Sequence, residues 1–256
     1  MSCGPTARPT FLPDRRGIAP PGVLITRPEP GAEETAQRVA ALGWRPVLAP
    51  ALLLAPRPVT LPAAQALLLT SRAAARALPA AALPAGLPVL AVGEATAAEA
   101  RRNGYVKVLA AAGDAAALSA LASARLDPRA GPLLLAVGAG YAQDLALGLR
   151  QRGFRVQRRV VYAAAPAVEL PDAARSVLAA GQVVAALFFS PRSAQCAMSM
   201  LRRAGLAETA SMIEALAISP RVAAALEAAA APLAWRATRV ADRPDQDSLL
   251  QLLGPR

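Results

Sequence analysis

Histidine is absent from this chain of 256 residues. Its absence removes Ser-His-Asp and Cys-His nucleophilic systems, the usual zinc sites and the commonest general base near neutral pH. Lysine occurs once, at Lys107, and cysteine twice, at Cys3 and Cys196. Two cysteines make no disulfide framework and have no metal-ligand spacing, so the natural setting is a reducing cytoplasm. Apolar residues reach 55 %, much of that alanine, yet no uninterrupted apolar run approaches the roughly 20 residues needed to span a bilayer. No membrane partner is expected. Chemistry must come from backbone amides, hydroxyls, arginine, tyrosine or the scarce carboxylates.

Acids are outnumbered by bases, 17 to 28, for a formal charge of +11. Such a balance is either a solvated arginine-rich surface or the footprint of an anionic partner. The arginines are scattered, and aromatics amount to only 4 % with none interleaved in a basic run. That pattern fits a small polyanion better than nucleic acid. Residues 1–21 are rich in Pro and Arg without periodicity and read as a disordered leader. Prolines interrupt any amphipathic transit helix there, and no apolar core of a secretory signal is present.

The chain length accommodates one large or two small domains, and an internal repeat favours two. Residues 21–56 lie over 131–166 without a gap, at a constant offset of 110. Val23-Leu24-Ile25 covers Leu133-Leu134-Leu135, Gly43-Trp44-Arg45 covers Gly153-Phe154-Arg155, and Pro56 covers Pro166. Each copy reads as strand, turn, helix closed by Gly, second strand and proline stop. Strand-like runs fall at 23–26, 46–54, 66–70, 88–92, 105–109, 132–137, 154–164, 184–189, 214–218 and 233–236. Helical segments fall near 32–42, 72–79, 94–103, 114–123, 141–152, 172–180, 191–204, 220–230 and 245–253. This alternation predicts an α/β protein with parallel sheets covered on both faces. The long extended segments predict crossings near 50–56 and 160–166 that pair as an antiparallel ladder. Domain A is then discontinuous, 22–49 with 166–253, and domain B covers 53–160. Two such lobes would enclose a cleft.

Ligands collect beyond the carboxyl ends of parallel strands, where helix N-termini favour anions. The chain places hydroxyls, glycines and arginines at those ends. In domain A they are Thr26, Arg27, Ser190, Ser193, Ser219 and Arg221; in domain B they are Ser71, Arg72, Gly93 and Thr96. For any one Ser or Thr the competing role is a helix N-cap, worth roughly 1 kcal/mol. Val137-Gly138-Ala139-Gly140 loosely suggests a dinucleotide turn, but Gln143 replaces the third glycine. Tyr162, in the second crossing, is either an aromatic packed on a ladder or a phenol able to donate a proton to a leaving oxygen. Tyr105 and Tyr141 are expected to be structural.

Together these segments resemble the uroporphyrinogen-III synthase family over 22–253. The resemblance rests on Val23-Leu24-Ile25-Thr26-Arg27-Pro28, Leu69-Thr70-Ser71, Phe189-Ser190-Pro191 and Val92-Gly93-Glu94-Ala95-Thr96. It rests also on Gly153-Phe154 with Val161-Tyr162, and on Arg243-Pro244-Asp245 with Ser248-Leu249-Leu250. It implies two flavodoxin-like doubly wound domains joined by a two-stranded β connection, with the active site between them. It also implies a cyclising hydro-lyase: hydroxymethylbilane loses water and closes to uroporphyrinogen III with ring D inverted through a spiro intermediate, without metal or organic cofactor. By position it makes Tyr162 the catalytic candidate, places Thr96 at the cleft, and has Ser71, Ser190 and Ser219 receive carboxylates. A monomer in transient contact with the enzyme supplying hydroxymethylbilane completes the expectation. Two departures stand out: Ser219-Pro220-Arg221 replaces a Gly-Pro-Thr-Thr-like turn, and Ala136-Val137-Gly138 lacks a frequent arginine. The alternatives are a two-lobed binding protein for a small anion, without chemistry, and a nucleotide-binding enzyme.

Overall fold

A computed structural model describes residues 20–139 and 142–256. Most of the leader, with Cys3, and the positions of Gly140 and Tyr141 lie outside the described residues. The chain opens with β1 (Gly22–Ile25), α1 (Gly31–Ala41), β2 (Arg45–Leu48) and β3 (Leu52–Pro56). It continues through β4 (Ala66–Leu69), α2 (Arg72–Ala77), β5 (Val89–Ala91), α3 (Glu94–Arg102), β6 (Val108–Ala110) and α4 (Ala115–Arg125). The repeat then returns as β7 (Leu133–Gly138), α5 (Gln143–Gln151) and β8 (Val156–Pro166). The last stretch holds α6 (Asp172–Ala179), β9 (Val183–Phe188), α7 (Pro191–Arg203), β10 (Glu214–Ala217), α8 (Pro220–Ala230), β11 (Ala237–Val240) and α9 (Gln246–Gln251).

Two compact units result. One takes the chain up to Leu53 and again from Pro166 to Arg256, and the other takes Leu54–Ala165. The first contains a five-stranded sheet in the order β11-β10-β9-β1-β2. Numbered within the unit, this is the 2-1-3-4-5 order of a flavodoxin-like sheet. The second sheet runs β3-β8-β7-β4-β5-β6. Counted from β7, its five parallel strands have the same order, so the second unit is the first with its chain circularly permuted. The central strands β1, β4 and β7 are buried along their whole length, as strands covered by helices on both faces must be. Alternate residues feed opposite cores: Leu24, Ala186 and Phe188 on one face of the first sheet, Val23, Ile25 and Leu187 on the other. Among the described residues no helix is long and apolar enough to cross a membrane.

The two copies of the repeat share their turn and differ in their exit. Gly43 and Gly153 follow α1 and α5 at φ +86° and +87°, a left-handed conformation that glycine adopts without a Cβ penalty. The second copy then runs 11 residues as unbroken β8. The first copy breaks after Leu48, so the single strand expected over 46–54 is two. Ala49 N–H donates to Ile25 O (3.0 Å) and Ala51 N–H to Thr26 O (2.8 Å), while Pro50 between them has no N–H to give. Strand β3 lies beside β8. Arg57 N–H donates to Val161 O and Ala167 N–H to Ala51 O, at 2.8 and 3.0 Å. One number rises as its partner falls, so this two-stranded connection is antiparallel.

The edges depart most from expectation. The last strand lies at Ala237–Val240 rather than 233–236. Trp235, inside the expected run, packs in the core instead, its ring edge-on to Phe188 with centroids 5.4 Å apart. Strand β11 alternates exposed and half-buried residues, and a half-solvated edge strand leaves little apolar signal. Likewise β6 starts at Val108, three residues later than expected.

In the second unit α2 is tied to α3 through Glu99, which is 5 % exposed. Its carboxylate accepts from Arg76 Nε at 2.8 Å and Arg102 Nη2 at 2.9 Å. Burial alone would push this carboxyl up. The Arg76 hydrogen bond and the charges of Arg76, Arg102 and Arg72 outweigh burial and hold it below the ordinary 4.5. A lowered folded pKa gives stability that is present above the unfolded value and lost as pH falls through the folded one. Glu99→Gln is therefore expected to cost about 1–3 kcal/mol at neutral pH. In urea titrations the gap from wild type should close in acid; a gap independent of pH would assign Glu99 to packing alone.

Helix α5 offers a second test, of opposite signs. A Cβ at Gly148 meets nothing within 4 Å, so Gly148→Ala should stabilise by up to about 1 kcal/mol. Gly153 sits at φ +87°, so Gly153→Ala should destabilise by about 1–2 kcal/mol. Shifts of the same sign in the urea midpoints would refute this account of α5.

Candidate active site

In each unit the strand order reverses between two central neighbours, β7 and β4 in the second unit and β1 and β9 in the first. At such a switch point the connections leave in opposite directions and open a crevice beyond the strand carboxyl ends.

In the second unit Ser71 follows β4, Gly138 ends β7 and Tyr162 projects from β8. The Tyr162 phenol oxygen lies 3.4 Å from Ser71 Oγ, a pair in which either hydroxyl can donate. Ser71 Oγ also accepts from Ala74 N–H at 3.1 Å, capping α2. A β-carbon on Gly138 would stand 2.6 Å from Tyr162 Cζ, so the ring occupies the space a side chain would fill. The ring is half-buried. Gly93 is the extended N-cap of α3, and Thr96, 5 % exposed, donates its N–H back to Gly93 O. Arg72 opens α2 and adds its charge to the field on Glu99. Tyr105 is structural: it donates to Leu78 O at 2.9 Å, and burial pushes its phenol up to about 12.

The first unit uses its hydroxyls differently. Thr26 is fully buried and donates Oγ1 to Leu187 O at 2.7 Å, tying β1 to β9. Ser190 and Ser193 cap α7 reciprocally: Ser193 N–H donates to Ser190 Oγ and Ser190 N–H to Ser193 Oγ, at 3.1 and 3.2 Å. Ser193 is 1 % exposed. The structure thus places the hydroxyls of Thr26 and Ser193 in hydrogen bonds inside the fold. Ser219 is the exception, an N-cap of α8 whose hydroxyl makes no capping bond. Arg221 beside it is exposed.

Arg27 is clamped. Its Nη1 donates to Gln246 Oε1 (2.7 Å) and Thr35 Oγ1 (3.2 Å), and its guanidinium lies 4.5 Å over the Phe189 ring. Gly31 makes this possible, because a β-carbon there would stand 2.5 Å from the guanidinium. Sequence reasoning missed Gln246. The only signal was its place directly after Asp245, which caps α9 through Ser248 N–H at 2.8 Å.

The charge pattern has a direction. Helices α2, α7 and α8 begin with Arg72, Arg192 and Arg221 in their first turn and carry no acid there. Helices α1, α3, α5, α6 and α9 carry Asp or Glu instead. The helix dipole favours acids at this end by about 0.3–1 kcal/mol each, so arginine is placed there against helix stability. What it creates in each unit is positive charge at the strand ends, suited to anions. Two grooves elsewhere, of about 360 Å³ between α4 and α5 and 460 Å³ between α1 and α9, are lined by none of these residues.

The family model described as Uroporphyrinogen-III synthase HemD matches residues 33–251. Uroporphyrinogen-III synthetase from Helicobacter pylori is similar in structure, with TM-score 0.52 and 16 % identity over 91 % of this chain and 98 % of that one. A mutant uroporphyrinogen III synthase from the extreme thermophile Thermus thermophilus gives TM-score 0.42 and 20 % identity over 91 % and 96 %. No curated protein matches the chain. The family model spans nearly all of both units, and the paired doubly wound sheets agree with it: this chain belongs to the uroporphyrinogen-III synthase family.

Proposed function

We propose that this protein dehydrates and cyclises hydroxymethylbilane to uroporphyrinogen III, inverting ring D through a spiro intermediate. The observation that carries the reading is the family match over 33–251, and the site chemistry supports it. The substrate bears eight carboxylates, and the arginine-led strand-end edges of the units suit a polyanion. Ser71, Ser190, Ser219, Arg72 and Arg221 are the side chains we assign to hold carboxylates, with the backbone at Gly93 and Thr96. Arg27 supplies fixed positive charge from its clamp. Loss of the hydroxyl leaves a cation that the electron-rich pyrroles stabilise themselves, so no histidine, metal or organic cofactor is required.

Tyr162 is assigned to the leaving group. Its phenol donates toward the departing oxygen, which leaves as water, and Ser71 provides the neighbouring hydroxyl. The remaining task is conformational: holding the chain so that ring D is attacked at its substituted carbon. Orientation of this kind is worth several kcal/mol. We extend the reading to a cytoplasmic monomer that meets the enzyme supplying hydroxymethylbilane only transiently. Its two cysteines offer no disulfide framework.

Fresh hydroxymethylbilane supplied to the protein should yield mainly the type III porphyrin isomer after oxidation; type I alone at high enzyme concentration would overturn the reading. Tyr162→Phe should lower kcat by about 100-fold with little change in KM. An unchanged kcat would assign the ring to packing. Arg221→Ala should raise KM, as should added salt, which screens charges beyond roughly 8 Å at 0.15 M. A KM indifferent to both would remove the electrostatic capture.

A further inference from the structure

Strands β7 and β8 pair in regular register from Leu133↔Val156 to Val137↔Val160, and then the register shifts so that Gly138 faces Tyr162. Val161 is thus an extra residue, a β-bulge. Successive side chains of a regular strand point to opposite faces, and a bulge re-aims whatever follows it. The cores record the switch. Val156 and Val160 pack with Leu133, Leu135 and Val137 against α4 and α5. Val161 packs on the other face with Leu134, Ala136, the α2 residues Ala74 and Ala75, and Leu78 just after that helix, and Tyr162 packs there too. Two consecutive residues therefore share a face. Without the bulge Tyr162 would point toward α5, away from Ser71.

The face to which Tyr162 is turned has a place for it only because residue 138 is glycine. A β-carbon there would lie 2.6 Å from Cζ, 2.7 Å from the phenol oxygen and 2.9 Å from Cε2. Its backbone does not demand glycine, as its φ is not in the left-handed region. The missing side chain is the slot for the ring. The fold does not need this arrangement either. At the repeat offset of 110, Gly138 corresponds to Pro28, Val161 to Ala51 and Tyr162 to Leu52. The first unit builds the same strand order with neither slot nor ring.

We infer that Gly138 and the Val161 bulge are positioning residues that aim the Tyr162 phenol past Ser71 at the reacting end of the substrate. This rests on the synthase reading above. The clashing atoms are the far end of a side chain, so Gly138→Ala should fold and displace the ring rather than break the sheet. Its kcat should fall at least about 10-fold, since misplacement by an ångström can cost 100-fold, with KM within about twofold. In a Tyr162→Phe background the same change should alter kcat by less than about twofold. Independently of activity, nitration of Tyr162 by tetranitromethane, read by peptide mass mapping, should speed up in Gly138→Ala. Wild-type nitration and kcat in the folded variant would overturn the inference. So would an equal kcat loss in both backgrounds, or a collapse of folding, which would make Gly138 a packing residue. If wild type made no type III isomer, the function reading would fail instead, and the nitration result would still judge the aiming of the ring.

Discussion

One pairing in each unit governs the rest: β1 with β9, and β4 with β7. Each joins segments distant in sequence, and each is where strand order reverses. The four strands are almost wholly buried, so their apolar side chains drive association while their backbone groups must find partners in the ladder. Once these pairs form, the residues just beyond their carboxyl ends have no regular neighbour to join. Thr26-Arg27 and Ser190 meet at one such edge, and Ser71, Gly138 and Tyr162 at the other. The positions of these side chains are a consequence of that constraint.

This explains why so much of the fold is legible in the sequence and so much less of the site. Fully buried parallel strands are short apolar runs, and the repeat at a fixed offset points to two similar units before any contact is known. The order of elements, the discontinuous first unit and the antiparallel connection all follow from those patterns. The bounds of two edge strands did not follow: β6 starts three residues later than expected, and β11, which alternates exposed and half-buried residues, carries little apolar signal. Pro50 marked the expected start of the first crossing, but the split of the strand over 46–54 did not follow, since a proline inside an extended run only removes one donor.

Site residues present a harder problem, because a hydroxyl at a strand end has two employments with one sequence signature. Capping is worth about 1 kcal/mol, enough to retain a serine without any ligand. The structure separates the cases by what each oxygen touches. Thr26 and Ser193 are enclosed, Ser71 caps while also facing a phenol, and the Ser219 hydroxyl makes no capping bond. No local pattern distinguishes them. Gln246 was invisible for the same reason: its meaning lies in Arg27, which is 219 residues away.

The absence of histidine then becomes intelligible in terms of what the reaction demands. A leaving group that departs with assistance from an electron-rich pyrrole needs a nearby proton donor more than a strong one. The difficulty is choosing between two ring closures, and that choice is made by geometry. A chain under this demand gains from rigid, well-aimed groups. Arg27 locked on Phe189 and Gln246, and Tyr162 seated in the space that Gly138 leaves open, are groups of that kind. The two copies of the repeat diverge at this point. The first uses Pro50 to end its strand early, whereas the second keeps the strand and inserts Val161, and so acquires an aromatic hydroxyl at its switch point. The repeat provides two equivalent edges, and a one-residue slip in register makes one of them chemically distinct.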